Sequence, residues 1–203
     1  MKIAVVNETS TADRNGEILA ALEGRGNETI NAGMTRSGEK PELQYIHTGL
    51  ISALLLYFHA ADLVVGGCGT GIGYINSVMQ YPGVVCGLIH TPLDAWLFAQ
   101  INQGNCISLA LHQDYSWAGE KSLGFIFDRY FGVENARSES QADSRQQLGR
   151  ISAVTHRDMA GILSGLPDEV LKPAIEYPGF LGLLESNARF DRNLIEVFKH
   201  KQV

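Results

Sequence analysis

Five strand-length runs, separated by helix-length stretches and each ending in a polar or glycine-rich loop, restrict this chain to a narrow set of architectures. The runs are residues 3–6, 28–33, 63–65, 83–89 and 105–111. Four of them are apolar with no in–out alternation, the pattern of parallel strands buried on both faces. Between them, residues 12–22 place Ile18, Leu19 and Leu22 on one helical face before Gly24 and Gly26 stop the helix. Residues 34–43, with Gly38 and Pro41, read as a loop. Residues 45–60 carry a broad stripe of Ile46, Leu50, Ile51, Leu54, Leu55 and Phe58, and further helices are expected over 75–79, 93–103 and 120–131. Strands alternating with helices call for a parallel sheet covered on both sides. The expected fold is therefore α/β: a three-layer, Rossmann-like parallel sheet of about five strands with helices on both faces, plus a helical C-terminal extension. Ligands in such folds bind beyond the carboxyl ends of the strands. Asn7 and Glu8, Cys68 to Gly73, His90 with Thr91, and His112 all fall at such ends.

Beyond the fifth run the pattern changes. Residues 135–147 are rich in Ser, Arg and Gln and read as a linker or arm. Residues 150–203 hold two or three helical segments interrupted at Pro167, Pro173 and Pro178, with Ile195, Val197 and Phe198 as anchors of the last. The chain is thus expected to comprise an α/β domain over 1–148 and an extension over 149–203, packed on the core or on a partner subunit. A net charge of −6 argues against a general nucleic-acid surface. Three cysteines without regular spacing do not form a disulfide framework, which favours a reducing compartment. No apolar run reaches the roughly 18 residues of a membrane span, and the opening residues read as a strand and its loop rather than a signal peptide. A soluble, cytoplasmic protein with no nucleic-acid or membrane partner is expected.

The run Gly67-Cys68-Gly69-Thr70-Gly71-Ile72-Gly73 joins the third strand to the next helix. It is not a nucleotide loop. The dinucleotide spacing Gly-x-Gly-x-x-Gly meets Ile72 when started at Gly67 and Tyr74 when started at Gly69, and no lysine lies between Lys40 and Lys121 to serve a phosphate loop. Two readings remain open on the residues themselves. The glycines form a tight strand–helix turn around a small buried Cys68, or their N–H groups cradle an anion beside a thiol made more acidic by its position. Cys86 and Cys106 lie within strand runs and read as core residues.

The block Cys68-Gly69-Thr70-Gly71-Ile72-Gly73, placed after an apolar strand, resembles the type B ribose-5-phosphate isomerase and galactose-6-phosphate isomerase family. The strand Val84-Val85-Cys86 and the block from Gln100 through Asn102 to Asn105 also correspond, with weaker echoes at Gly33, Tyr45 and His47. The resemblance spans residues 1–148. It implies an aldose–ketose isomerase acting on a pentose or hexose phosphate through a cis-enediolate, with neither metal nor cofactor. Carried over by position, it implies that Cys68 is the base moving a proton between C1 and C2, that Thr70 assists proton movement between the sugar oxygens, and that Asn102 contacts the reacting oxygens. The N–H groups of Gly69, Gly71, Ile72 and Gly73 would hold the enediolate charge. Asn7, Glu8, His90 and His112 would line the substrate, and Arg137 and Arg145 would grip its phosphate. A homodimer or dimer of dimers with the site at the subunit interface is implied as well. The chain departs from the family pattern in three places. Asn7-Glu8 replaces an Asp-His pair, Ile101 replaces the ring-opening histidine, and His112 replaces a phosphate-binding arginine. His90 or His47 would then be the substitute imidazole. Other readings are a non-catalytic sugar-phosphate binding protein, or a different thiol enzyme using the loop as an oxyanion hole. A pure binder needs the glycines but not the thiol.

Overall fold

A computed structural model describes residues 1–113, 118–132, 147–152, 158–187 and 190–191. Five strands, β1 (Lys2–Val6), β2 (Glu28–Asn31), β3 (Leu63–Cys68), β4 (Cys86–Ile89) and β5 (Cys106–Ala110), form one sheet in the order β2-β1-β3-β5-β4. Every pairing is parallel. The helices between them are α1 (Asn15–Leu22), α2 (Tyr45–Tyr57), α3 (Ile72–Val78), α4 (Pro92–Leu97) and α5 (Gly119–Phe131). Residues 147–152 form α6, followed by α7 (Met159–Gly165), α8 (Asp168–Ile175) and α9 (Phe180–Glu185).

The lack of alternation in the apolar runs has a direct cause. Successive residues of β1 and β3 feed two separate cores. Ala4, Val6 and Val64 face a cluster with α2, α3 and the helices α7, α8 and α9. Ile3, Val5, Leu63 and Val65 face the other, with α1, α4 and α5. Both faces are covered, so neither parity is polar.

Local details differ from the sequence pattern. Residues 12–22 are split into a 3₁₀ turn (Ala12–Arg14) and α1. The stretch 93–103 is α4 followed by a wider π turn, Phe98–Asn102. Cys68 is the last residue of β3, paired with Ala110, rather than part of the turn. Pro178 separates α8 from α9, and Pro167 caps the start of α8, but Pro173 lies inside α8. A proline within a helix cannot donate to the carbonyl four residues back. That carbonyl, Glu169 O, instead accepts a bond of 2.8 Å from His47 Nε2 on α2. A second tie runs from Tyr177 to the loop after β2, where its hydroxyl lies 2.8 Å from Gly33 O and 3.0 Å from Glu39 Oε2. Among the described residues, no helix is long and apolar enough to cross a membrane.

Candidate active site

The glycine run emerges at the carboxyl end of β3, between β1 and β5. Cys68 O accepts N–H groups from Gly71 and Leu111, each at 3.2 Å, so the chain turns back on itself directly after the strand. Gly71 has φ +73, and a Cβ there would stand 2.4 Å from Leu88 Cδ1, so both backbone and space call for glycine. Its carbonyl receives the Ser108 hydroxyl at 2.7 Å. The next helix is fixed by Tyr74, whose ring occupies the space left by Gly66 and whose hydroxyl donates to Ser52 Oγ at 2.7 Å. Burial, with Cys106 and Cys86 nearby, pushes the Tyr74 phenol far up, so it stays a neutral donor.

Within this frame Cys68 is nearly enclosed, at 7% exposure. Its Sγ lies 4.0 Å from the Oγ1 of the exposed Thr70. Thr70 Oγ1 accepts the Ile72 N–H at 3.3 Å. Two of the four loop N–H groups named above are therefore engaged inside the loop, Gly71 to Cys68 O and Ile72 to Thr70. Among the described residues, the N–H groups of Gly69 and Gly73 meet no acceptor.

Four further sequence candidates lie along the same edge. Val6 pairs with Gly66, which carries Asn7 and Glu8 to the level of the loop. Asn7 is fully buried and donates to Asn15 Oδ1 at 2.8 Å, leaving its own Oδ1 unpartnered. Glu8 is 4% exposed and accepts the Ser10 hydroxyl. His112 donates its N–H to Gly69 O at 2.9 Å, and its ring lies over Gly69, with Nδ1 3.4 Å from the place a Cβ would take. His90 ends the edge strand β4, with β5 between it and the loop. Its N–H goes to Asp94 Oδ2 at 3.1 Å. Burial works against the Asp94 charge, but the N–H groups of Thr91 and His90 and the Thr91 hydroxyl outweigh it and hold the carboxyl below its usual range.

The family profile described as Ribose/Galactose Isomerase matches residues 3–143. The chain belongs to the ribose/galactose isomerase family. Two solved structures match it nearly end to end. A ribose-5-phosphate isomerase from Vibrio parahaemolyticus is 34% identical, with a TM-score of 0.87 and 98% of each chain covered. A 4-deoxy-L-threo-5-hexosulose-uronate ketol-isomerase, solved with a tartrate, is 33% identical, with a TM-score of 0.84 and the same 98% coverage of each. The ribose 5-phosphate isomerase of Thermotoga maritima, at 19% identity and a TM-score of 0.60, covers 76% of this chain and 98% of its own, and shares the fold. A comparison with curated sequences finds no match. The protein is an enzyme, an aldose–ketose isomerase.

The remaining candidates fall elsewhere in the isomerase. Asn102 closes the π turn that leads into the amino end of β5, where Asn105 O meets Val64 N. Cys68 pairs with Ala110 at the other end of that strand, and the strand's four steps span about 13 Å. The chain therefore does not bring its own Asn102 to Cys68. Ile101, 52% exposed, lies in the same distant turn. His47 is also remote in role. Its Nδ1 accepts the Gln44 N–H at 2.9 Å, which leaves Nε2 as the ring's donor to Glu169 O. With both nitrogens bound and 6% exposure, it is a helix cap and a tie to α8, not a substitute catalytic imidazole. Arg137, Arg145 and the trio Ile195, Val197 and Phe198 lie outside the described residues.

Three residues near the loop were not singled out from the sequence: Ser108, Tyr74 and Ser52. The available signal was a lone hydroxyl inside an otherwise apolar strand run at Ser108, which a buried position tolerates only with a partner. A groove of about 440 Å³, lined by Tyr45, Gly73, Ser77, Tyr81, Ile162 and Leu166, runs from the loop toward the extension.

Proposed function

We propose that the isomerase interconverts an aldose and a ketose bearing a terminal anion, a pentose or hexose phosphate, through a cis-enediolate and without a metal. The observation that carries this reading is the Cys68–Thr70 pair, 4.0 Å apart on a loop whose Gly69 and Gly73 N–H groups are unengaged. The Cys68 thiolate takes the C2 proton of the aldose and returns it to C1, so no net proton is lost. Thr70 passes the hydroxyl proton between O1 and O2 as charge moves. The Gly69 and Gly73 N–H groups stabilise the enediolate, a role such donors fill at about 3 kcal/mol each. Asn7, Glu8, His90 and His112 line the sugar, and Arg137 and Arg145 hold its phosphate.

Asn102 enters this reading from a second subunit, in a homodimer or dimer of dimers with the site at the interface. Its position at the far end of the sheet supports that arrangement, as does the exposure of Ile72 (51%), Trp96 (43%) and Ile101 (52%). Three free cysteines fit a reducing, cytoplasmic setting. A second reading keeps the chemistry and changes the anion to a uronate carboxylate. It is favoured by the near full-length similarity to the hexosulose-uronate ketol-isomerase. His112 beside the loop also suits it, since an imidazole lacks the fork with which arginine grips a phosphate.

The test is a panel of ribose 5-phosphate, galactose 6-phosphate and 4-deoxy-L-threo-5-hexosulose-uronate in deuterated buffer, followed by NMR for interconversion and deuterium uptake. One of them is expected to turn over, and Cys68→Ala to cut kcat by about 10³-fold or more. No conversion and no exchange across the panel removes this substrate assignment. Full activity in Cys68→Ala removes the thiol as base. Full activity of a monomer at assay concentration removes the shared site.

A further inference from the structure

We propose that Ser108 is a positioning residue of the isomerase, aiming the Thr70 hydroxyl at Cys68 through the peptide that joins Gly71 to Ile72. The inference rests on the reading of Cys68 and Thr70 as the proton-transfer pair.

Ser108 is completely buried in β5, beside Leu88 of β4 and on the face opposite Ile107 and Leu109. A buried hydroxyl without a partner is costly, and this one spends its proton on Gly71 O at 2.7 Å. A peptide unit is planar, with its C=O and N–H directed oppositely. Drawing Gly71 O down onto the sheet therefore turns the Ile72 N–H up, away from it. There it meets Thr70 Oγ1 at 3.3 Å. A threonine hydroxyl has one proton and two lone pairs. With one lone pair occupied by Ile72, its proton is directed to the other side of the oxygen. Cys68 Sγ lies 4.0 Å away and the open mouth lies beyond.

The loop's own bonds do not supply this control. Gly71 O also accepts the Ile75 N–H at 3.1 Å, but that bond runs along α3 and moves with it. The Gly71 N–H bond to Cys68 O fixes the preceding peptide, not this one. Among the described residues, Ser108 alone ties the Gly71–Ile72 peptide to the strand next to the one that ends in Cys68. Its register matters: Ser108 pairs with Gly66, two residues before the thiol, so thiol and peptide are referred to the same rigid pair of strands.

The experiment compares wild type with Ser108→Ala and with Ser108→Cys, which keeps the side-chain size but is a weak donor. Both are expected to lose about tenfold in kcat with KM within about twofold, the signature of an interaction used in the transition state. In a Thr70→Val background, Ser108→Ala is expected to cost nothing further. NMR amide exchange at Ile72 is expected to rise severalfold in Ser108→Ala, with β1 and β2 amides unchanged. Full kcat in both variants overturns the proposal. A loss of equal size with and without Thr70 overturns it too, because it marks general loosening. Unchanged exchange at Ile72 overturns it regardless of substrate. If wild type converts no sugar while Ile72 exchange still rises, the proton-transfer reading has failed and the loop clamp stands.

Discussion

The loop after Cys68 and the seam that joins the C-terminal helices to α2 and to the loop after β2 both hold backbone in place, with different reach. Inside the loop the bonds are short-range: Gly71 to Cys68 O, Ile72 to Thr70 Oγ1. Across the seam His47 meets Glu169 over 122 residues and Tyr177 meets Gly33 over 144. The loop and the end of β3 that leads into it are also a place of steric refusal, where an added Cβ would meet backbone at Gly67 and the Leu88 side chain at Gly71. The seam is built from single polar contacts on an apolar cluster, where each contact can be lost without collision. Segments held by close packing are expected to fail abruptly when substituted, whereas seams of single polar contacts fail by degrees.

The largest effect expected on this comparison is at Gly67. A Cβ there would stand 2.3 Å from Leu109 O, a backbone atom of the neighbouring strand that cannot swing away. Gly67→Ala forces β3 and β5 apart just below Cys68. A loss of about 3 kcal/mol or more is expected, at the upper end for overpacked sites, read as a lower urea midpoint with the slope unchanged. A stable, active Gly67→Ala would mean that the sheet edge yields, and the contrast with the seam would vanish.

Tyr177→Phe is the matching change in the seam, and a smaller one. It keeps the ring in place and removes the hydroxyl from Gly33 O and Glu39. The one hydroxyl proton is shared between Gly33 O, which keeps Asn31 Nδ2 as a donor at 3.3 Å, and a carboxylate with several donors, so about 1 kcal/mol is expected. The effect reaches the site by one route. Gly33 is pressed against Asn7, where a Cβ would meet Asn7 N at 2.3 Å, so a loosened Gly33 loosens the end of β1. If denaturation midpoints of Tyr177→Phe and wild type coincide, the Tyr177 hydroxyl adds nothing to the hold on the extension.

The same contrast explains what could be read from the residues in order. The parallel sheet was legible because burial on both faces removes polar residues from β1 and β3 at either parity. The turn after Cys68 was legible as a glycine-dense run, but the atoms that demand those glycines, Leu109 O at Gly67 and Leu88 Cδ1 at Gly71, lie on other strands, β5 and β4. The role of His47 was not legible. Its meaning depends on Pro173, which frees a carbonyl far away in sequence. Asn102 was legible as a motif but not as a location, since the π turn hands it to the wrong end of β5 for its own Cys68. Ser108 carried only the weak mark of a hydroxyl in an apolar run. Spacing rules see i to i+4; they do not see which peptide a strand neighbour will hold.

The smallest expected effect separates the seam's charge from its packing. Burial works against the charged form of Glu39, but the hydroxyl and N–H of Thr35 and the hydroxyl of Tyr177 outweigh it, so the carboxyl is held below its usual range. A carboxyl lowered in the folded state adds stability above its unfolded value, about 4.3. That contribution fades as pH falls through the lower, folded value. Wild type should therefore lose stability between about pH 5 and 3 more steeply than Glu39→Gln, which has nothing to protonate there. Tyr177→Phe should fall between them, because Thr35 still favours the charge. The measurement is the urea midpoint of the three proteins at steps across that range. Parallel curves would place Glu39 outside the seam's energetics and leave Gly33 as the one partner of Tyr177 that matters. A converging pair, wild type meeting Glu39→Gln at low pH, would show that the contact holding the extension to the loop beside Asn7 is electrostatic, unlike any bond inside the Cys68 turn.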